Sequence, residues 1–398
     1  MSYSLREVAE RANVPESFVR RLVAVGALPA EDAGLGPREV RRARLLHSWT
    51  AAGLSVERIL ELVDRGALSL GFLDTPALFR PERLDRSYRR LAADRGVTVA
   101  FLERLHQALG FAPPEPDDRA GEDDVTMLEV AEVFRGVGVG DDATLRLLAV
   151  YADSLRRIAK AETDFYEANI ERPMRASGLD ERQLIELGTR MGDRVTGLLE
   201  AVLLMVYRRH REHVWTEHAV NHVEEALEIV GLEPRVPRPP AICFIDLTGY
   251  TQLTEERGDE AAAQVAGRLA TLVNHISRSR GGRPIRWLGD GGMFHFPEPG
   301  TAVTAGLDMV ERAPAADLPA AHVGIHTGPV VFQDGDVYGR TVNVAARIAS
   351  YARAGQVIVS EDTVRRSGDG PLSFEPLGPV DLKGVARPLA LYQARRTR

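Results

Sequence analysis

The sequence has almost no cysteine and no excess of positive charge. Its single cysteine, Cys243, excludes an internal disulfide framework and fits a reducing compartment. The formal net charge of -7 over 398 residues leaves no overall basic surface, so any contact with nucleic acid has to be local. The single cysteine predicts a cytoplasmic protein.

Long apolar runs are also missing. The longest one, residues 197–206, contains Glu200 and is well short of the roughly 20 residues that span a bilayer. The N-terminal stretch MSYSLREVAERANV carries charges where a signal peptide has its apolar core. We therefore expect neither a membrane span nor a secretion signal.

Two proline-rich stretches divide the chain. Residues 112–124 are rich in proline and acid, and residues 233–240 hold four prolines in eight positions. Before the second stretch, apolar residues recur at three- and four-residue spacing, which is the pattern of helices; after it, strands and helices alternate. The sequence predicts an all-helical N-terminal half, a linker at 233–240 and an α+β domain at 241–398.

The first segment has the pattern of a helix-turn-helix. Two apolar stripes at helical spacing flank a turn at Asn13, and Pro15 suits a first helical position. Residues 4–63 resemble the helix-turn-helix domain of MerR-type regulators, but PAEDAGLGPRE stands in place of the arginine-and-tyrosine wing of that family. We assign residues 1–70 to this unit. The stripes are formed by Leu5, Val8, Ala12, Phe18, Val19 and Leu22.

A related helical unit follows at about residues 96–148, where the spacing of an apolar residue, an aromatic residue and a glycine is repeated. This second copy is acidic where a DNA-facing unit is basic, so a packing scaffold is the simpler explanation of both copies. Arginines of the first copy leave DNA binding as the less favoured alternative. The matched residues are Val40, Trp49 and Gly53 with Val125, Phe134 and Gly138, and the arginines are Arg20, Arg21, Arg38, Arg41, Arg42 and Arg44.

Long amphipathic helices complete the helical region at 71–232, and they contain His210, His213, His218 and His222. His218 and His222 lie four residues apart on one helical face, a spacing that can hold a metal ion, but no third ligand is evident nearby. We favour solvent-facing or interface histidines. A pH-responsive interface is another alternative, because histidine titrates near neutrality.

The C-terminal domain shows the order β-α-β-β-α-β of a ferredoxin-like split unit. In such a unit the end of the first strand and the central hairpin lie side by side, so Asp246 and Asp290 can converge. Two carboxylates repel each other unless a positive charge lies between them, and magnesium or manganese ions prefer oxygen ligands. Turn chemistry alone is the alternative explanation of Asp290, which stands between Gly289 and Gly291.

A helix predicted at 340–352 places Asn343 and Arg347 on one face. This face combines a neutral hydrogen-bonding amide with a guanidinium suited to oxyanions. Asp336 precedes Asn343 by seven residues. Taken singly, Asp336 is better explained as a loop residue, and Asn343 and Arg347 as part of a solvated helix face. Arg286, on the strand before Asp290, is in the same way explained as a structural ion pair on a sheet edge.

Three motifs, FIDLTGYT, RWLGDG and DVYGRTVNVAAR, together resemble the catalytic domain of class III adenylate and guanylate cyclases over residues 240–395. The resemblance implies that Asp246 and Asp290 hold two divalent cations, Mg²⁺ or Mn²⁺. It also implies a cradle for metal and triphosphate, with Leu247 as a metal contact. The cradle comprises Leu247, Thr248, Gly249, Tyr250 and Thr251.

The same resemblance implies roles around the nucleotide. Asn343 matches the residue that orients the ribose, Arg347 the residue that stabilises charge in the transition state, and Arg286 and Asp336 the two positions that read the base. In the family these residues come from one subunit and the metal aspartates from the other, which implies a homodimer with two composite sites. The implied reaction is attack of the ribose 3'-hydroxyl on the α-phosphorus, with release of pyrophosphate.

Three positions depart from the family pattern. Arg286 stands where adenylate cyclases usually have lysine, the segment between Gly328 and Asp336 is short, and Gln356 replaces a phosphate-binding lysine of some members. Arginine only donates hydrogen bonds and ionised aspartate only accepts them, which fits N1 and N6 of adenine and disfavours guanine. Cytosine offers N3 and N4 in the same arrangement.

We therefore predict a homodimeric class III adenylate cyclase that converts ATP to cyclic AMP and pyrophosphate. Its central helices resemble the regulatory regions of actinobacterial adenylate cyclases, which implies autoinhibition or sensing, and dimer contacts are also expected in the helical half. Two alternatives stay open: a cyclase with pyrimidine nucleotide specificity, and a catalytically silent nucleotide-sensing domain on a DNA-binding regulator.

Overall fold

A computed structural model describes residues 3–66, 68, 70, 83–179, 181–232, 238–368 and 370–397. The chain divides into two compact units, Met1–His222 and Val223–Arg398. The linker predicted at 233–240 lies largely outside the described residues, because 233–237 are not described. All three cyclase-like motifs fall in the second unit.

The first unit is built mainly of helices, as predicted. Short 3-10 and π-helical turns occupy Glu31–Ala33 and Glu167–Glu171. Its elements are α1 (Leu5–Ala12), α2 (Glu16–Ala24), α3 (Pro37–Ala51), α4 (Val56–Asp64), β1 (Arg83–Ser87), α5 (Tyr88–Asp94), α6 (Val99–Ala108), β2 (Arg119–Gly121), α7 (Glu122–Gly136), α8 (Asp141–Tyr166), α9 (Arg172–Ala176) and α10 (Glu181–Ile229), the last of which continues into the second unit.

One short antiparallel ribbon, formed by β1 and β2, corrects the prediction of an all-helical N-terminal half. Its second strand, β2, is part of residues 112–124, which the sequence predicted to be a loop or linker. The backbone N–H groups of Tyr88 and Arg89 donate to the carbonyl oxygens of Asp118 and Pro116, at 3.0 and 2.8 Å. These bonds hold the proline-rich segment against the start of α5.

Two separate apolar cores lie within the helical region. The first is formed by buried residues of α1 to α4 and the loop before α3, and the second by α5 to α8 with Ala120 of β2. The turn predicted at Asn13 is present, since this residue ends α1 in the left-handed conformation with φ 54. The second core begins at Tyr88, earlier than the boundary expected near residue 96.

Two side-chain contacts link α8 to α10 in an antiparallel sense. Tyr151 and Tyr207 share a hydrogen bond, and the hydroxyl of Tyr166 lies 2.7 Å from where a Cβ on Gly188 would stand. With 49 residues, α10 is about 74 Å long at the usual helical rise. Within the described part of the chain, no helix has the length and apolar content that crossing a bilayer requires.

The second unit confirms the predicted α+β class. A seven-stranded sheet has the order β10-β11-β9-β6-β3-β5-β4, and a separate hairpin pairs β7 with β8. Its elements are β3 (Ala241–Leu247), α11 (Tyr250–Arg257), α12 (Asp259–Ser279), β4 (Arg283–Trp287), β5 (Gly291–Phe296), α13 (Pro299–Arg312), β6 (Ala321–Thr327), β7 (Val331–Gln333), β8 (Asp336–Tyr338), α14 (Arg340–Tyr351), β9 (Val357–Ser360), α15 (Glu361–Arg366), β10 (Leu372–Val380) and β11 (Leu389–Arg396).

The central strands β6-β3-β5-β4 form the ferredoxin-like core that the sequence predicts, and β9, β10 and β11 extend it. Alternate side chains of β3 enter the main core with α12 and α13, whereas Ile242 and Phe244 pack with Ala345 of α14. Asp246 shares the second face. A Cβ on Gly324 of β6 would lie 2.0 Å from the Ala349 backbone nitrogen, so α14 rests directly on the sheet.

Candidate active site

Asp246 and Asp290 meet where β3 ends beside the β4–β5 turn. Asp246 is paired with Gly291 of β5, and the N–H of Leu247 donates to the carbonyl oxygen of Asp290 at 3.2 Å. A Cβ on Gly291 would stand 2.4 Å from the carbonyl oxygen of Ile245 and 3.0 Å from Asp246 Oδ1. Glycine is therefore required for this close approach, and the structure brings the two aspartates together as the topology predicts.

The proximity of the two carboxyl groups changes the acidity of Asp246. Burial, followed by the negative charge of Asp290, raises the pKa of Asp246 to about 6. A hydrogen bond from the Leu247 backbone opposes this change, and one between the two carboxyl groups adds to it. Below about pH 6, Asp246 therefore carries a proton that a positive ion would displace.

His322 was not among the predicted site residues, yet it lies beside this pair. It is paired with Asp246 across β3 and β6, and its Nε2 is 3.6 Å from Asp246 Oδ2. Its Nδ1 is 3.3 Å from the Thr248 hydroxyl oxygen. Burial lowers the pKa of His322, although the charge of Asp290 opposes the change. The strand register that places it there could not be derived from composition or motif spacing.

The two predicted base-reading residues contact each other directly. Arg286 on β4 donates through Nη2 to Asp336 Oδ2 on β8. The other carboxylate oxygen of Asp336 accepts a hydrogen bond of 2.8 Å from the N–H of Val337, which fixes its orientation. A donor and an acceptor are therefore held side by side, although their residues lie on separate strands.

Asn343 and Arg347 lie one turn apart on α14, and both are exposed. The opposite face of the helix buries Val344 and Ile348. The first turn is anchored by Thr341, whose hydroxyl donates to the carbonyl oxygen of Pro329 at 2.6 Å. The shared face predicted for Asn343 and Arg347 is thus present, and it points away from the domain's own core.

The predicted cradle follows Asp246. The N–H of Thr248 donates to Ala320 at 2.9 Å, and Gly249 adopts φ 79 immediately before α11. The first N–H groups of a helix have no intrahelical acceptor and can bind anions. The side chain of Leu247 is in the main core, so only its backbone can contribute to an ion site.

Exposed apolar side chains surround these polar groups. They lie on the β4–β5 turn and on the β7–β8 hairpin, which occupies the segment noted as short in the sequence. Each is more than a third exposed, an unusual concentration for a surface that only faces water. They are Trp287, Leu288, Val331, Phe332 and Tyr338.

The chain matches two protein families in succession. Residues 238–394 match the adenylate and guanylate cyclase catalytic domain, and residues 34–212 match the adenylate cyclase regulatory domain. Together the two matches take in most of the chain: a cyclase catalytic domain follows an adenylate cyclase regulatory domain, and the chain is an enzyme of the cyclase type.

The chain is also similar to individual cyclases. The pH-sensitive adenylate cyclase MT1302 of Mycobacterium tuberculosis (strain CDC 1551 / Oshkosh) is 27% identical over 321 residues, 78% of each chain. An adenylate cyclase of Streptomyces coelicolor is 26% identical and covers 73% of this chain and 74% of its own. The crystal structure of the adenylyl cyclase CyaB from P. aeruginosa is 25% identical, with a TM-score of 0.37 over 40% of this chain and 94% of its own.

Proposed function

We propose that the protein converts ATP to 3',5'-cyclic AMP and pyrophosphate at two composite sites of a homodimer, with two divalent cations. The observation that carries the proposal is the presence of two complementary pairs in one domain. Asp246 and Asp290 concentrate negative charge for cations, and Arg286 with Asp336 presents a donor beside an acceptor for a base.

The donor set fits Mg²⁺ or Mn²⁺. Asp246 and Asp290 supply hard oxygen ligands, and magnesium sites commonly combine one or two carboxylates with substrate phosphates. No group of three or more His, Cys, Asp or Glu side chains suited to a metal ion occurs among the described residues. The Leu247 backbone and the phosphates would complete the coordination. When bound, the cations activate the attacking hydroxyl and neutralise the leaving phosphates.

Adenine fits the base-reading pair. Arg286 donates to N1, and Asp336 accepts from the N6 amino group, while guanine presents the reverse pattern. The contact between Arg286 and Asp336 supports this assignment because it holds both groups at one position. Cytosine has the same donor and acceptor order, so the arginine, which is longer than the usual lysine, makes CTP the competing substrate to test.

Asn343 and Arg347 act on the ribose and the α-phosphate. Asn343 holds the ribose so that its 3'-oxygen faces the phosphorus in line with the leaving group. Arg347 donates to the phosphoryl oxygens, where negative charge accumulates in the transition state. The 3'-oxygen forms a bond to the α-phosphorus as the bond to pyrophosphate breaks, and the hydroxyl proton leaves to solvent.

The exposure of Asn343 and Arg347 supports a dimer in which these residues serve the aspartates of the partner. The apolar side chains around the site, including Trp287 and Phe332, would be covered by the same contact. Exposed apolar residues on α10 support a second contact between the N-terminal helices; they include Leu198, Val202, Met205 and Val206.

The helical half is proposed to restrain the catalytic domain through the orientation of the dimer, shifting the population of aligned sites. The match of residues 34–212 to a regulatory domain supports this role, and the name of MT1302 suggests pH as the first signal to examine. Deleting residues 1–236 should raise turnover and abolish any pH response that exceeds that of the catalytic domain itself. Unchanged turnover and an unchanged pH profile would contradict the regulatory role.

DNA binding receives little support from the first helical unit. Arg20 is paired with Glu16 at 2.5 Å, and Arg21 with Glu57 at 2.7 Å. These acids neutralise two of the arginines that a phosphate contact would need. We therefore retain the enzyme as the function and treat the helix-turn-helix pattern as scaffold.

The decisive experiment is incubation of the purified full-length protein with Mn²⁺ and, separately, ATP, GTP, CTP and UTP, followed by identification of the product by mass. Cyclic AMP as the main product supports the proposal. Cyclic CMP as the main product would identify CTP, rather than ATP, as the substrate. The absence of a cyclic product from all four nucleotides would reject cyclase activity. Asp336→Asn should remove the preference between ATP and GTP while leaving the aspartate pair intact.

A further inference from the structure

A histidine connects the phosphate cradle to the metal carboxylates. His322 is 12% exposed, with Nε2 3.6 Å from Asp246 Oδ2 and Nδ1 3.3 Å from Thr248 Oγ1. Thr248 is itself held by the bond from its N–H to Ala320. The ring is therefore fixed between two segments that flank the site, on a strand that carries no cyclase-like motif.

The hydrogen-bonding roles in this arrangement follow from Asp246. An ionised carboxylate only accepts, so the ring proton that suits it is on Nε2, and Nδ1 then accepts from the hydroxyl of Thr248. The separation of 3.6 Å from His322 to Asp246 is longer than a hydrogen bond. The ring thus limits the rotation of the carboxylate through contact and through the dipole of its Nε2–H, without removing an oxygen from coordination.

We infer that His322 is a positioning residue that holds the Asp246 carboxylate toward Asp290 for cation binding. This inference rests on the proposed function. The Asp246 side chain is 47% exposed, so without the ring it has room to rotate into solvent. Groups that orient ligating side chains typically change metal affinity by about 10- to 100-fold when they are removed.

The test compares three substitutions of His322 that differ in which nitrogen they retain. His322→Gln keeps a donor at the reach of Nε2, toward Asp246. His322→Asn keeps a nitrogen only at the reach of Nδ1, toward Thr248, and His322→Leu keeps neither. His326→Gln is the matched control, because His326 lies on the same face of β6 but pairs with Ser360 Oγ at 2.7 Å.

Mn²⁺ binding is measured on the full-length protein by the loss of the free-ion EPR signal, with 3'-deoxy-ATP present because it cannot cyclise. The Leu and Asn variants should bind Mn²⁺ about 10-fold more weakly, and the Gln variant and the His326 control close to the wild type. Near-UV circular dichroism on each variant checks that the fold is kept. Catalytic assays should show the same order in the Mn²⁺ concentration needed for half-maximal activity.

Unchanged Mn²⁺ affinity in a folded Leu variant would overturn the inference, and so would equal weakening in the Gln and Leu variants. A higher KM for ATP with unchanged Mn²⁺ affinity would also overturn it, since His322 would then act on the substrate. Failure of the proposed function is recognised separately, because it requires that the wild type make no cyclic product from any nucleotide.

Discussion

One aspartate in each unit of the chain has a clearly shifted pKa, and the two pKa values move in opposite directions. Asp124, at the start of α7, is 2% exposed. Burial alone would raise its pKa, but hydrogen bonds from His106, the N–H of Gly121 and the Tyr88 hydroxyl outweigh burial and lower it. These three contacts measure 2.8, 2.6 and 2.8 Å.

For Asp246, the effects that raise the pKa are larger than the one that lowers it. Burial and the charge of Asp290 raise its pKa to about 6, and a single backbone bond from Leu247 opposes them. The difference lies in the neighbours: Asp124 is surrounded by hydrogen-bond donors, whereas Asp246 lies beside another acid, Asp290. A carboxylate whose charge is satisfied within the fold stabilises that fold, whereas one left unsatisfied is prepared for a ligand.

The largest effect is expected from Asp290→Asn. It removes one of two proposed metal ligands, and the loss of several kcal/mol of transition-state stabilisation corresponds to a fall in turnover of about 100-fold or more. It should also let the pKa of Asp246 fall, because the neighbouring charge is gone. Turnover is measured as cyclic product at saturating ATP and Mn²⁺. Asp259→Asn, an exposed acid at the start of α12, is the control, and equal turnover in the two variants would contradict the metal role.

The second-largest effect is expected on the stability of the first unit. Asp124→Asn should lower the free energy of unfolding of the first unit by about 2 kcal/mol, because hydrogen bonds to a buried charge are lost. Urea unfolding followed by circular dichroism measures the change. Asp123→Asn, on the same turn but exposed, should have almost no effect. If both variants unfold alike, the donors around Asp124 contribute less than the geometry indicates.

The two acids should respond to pH in opposite ways. Asp246 has a folded pKa above its ordinary 3.8, so its contribution to stability is present below 3.8 and is lost as the pH rises through about 6. Asp124 has a lowered pKa, so its contribution is present above 3.8 and is lost as the pH falls through the folded value.

The pH dependence is measured as the Tm of the full-length protein, with and without Mn²⁺. Mn²⁺ should stabilise the protein more above pH 6 than below it, because the ion then competes with no proton on Asp246. Asp246→Asn should remove this dependence. An equal Mn²⁺ effect on both sides of pH 6 would show that the aspartate pair does not hold the ion.

The smallest effect is expected at a partly exposed ion pair. Glu10 of α1 contacts Arg119 of β2 at 2.6 Å and joins the two helical cores of the first unit. Both side chains are about a quarter to a third exposed, so Glu10→Gln should cost at most about 1 kcal/mol in the free energy of unfolding. A cost as large as that of Asp124→Asn would mean that exposure is a poor guide to the energy of charged contacts in this unit.

The elements of the catalytic domain were largely predictable because their signals are local. The helix at Asp259–Ser279 follows from apolar residues at helical spacing, and the β-α-β-β-α-β order then requires the end of β3 to lie beside the β4–β5 turn. The ribbon of β1 and β2 was not predicted. Its second strand lies in a stretch rich in proline and acid, and hydrogen bonds to the start of α5 help to hold that stretch in place.

Local periodicity and motif order were sufficient to predict the α+β class of the second unit and the convergence of Asp246 with Asp290. Tertiary structure alone decided that His322 stands opposite Asp246 and that Tyr88 and His106 contact Asp124. The reason is physical: strand register and helix packing join residues 18 to 76 positions apart, and the solvation of a carboxylate depends on those distant neighbours rather than on its own segment.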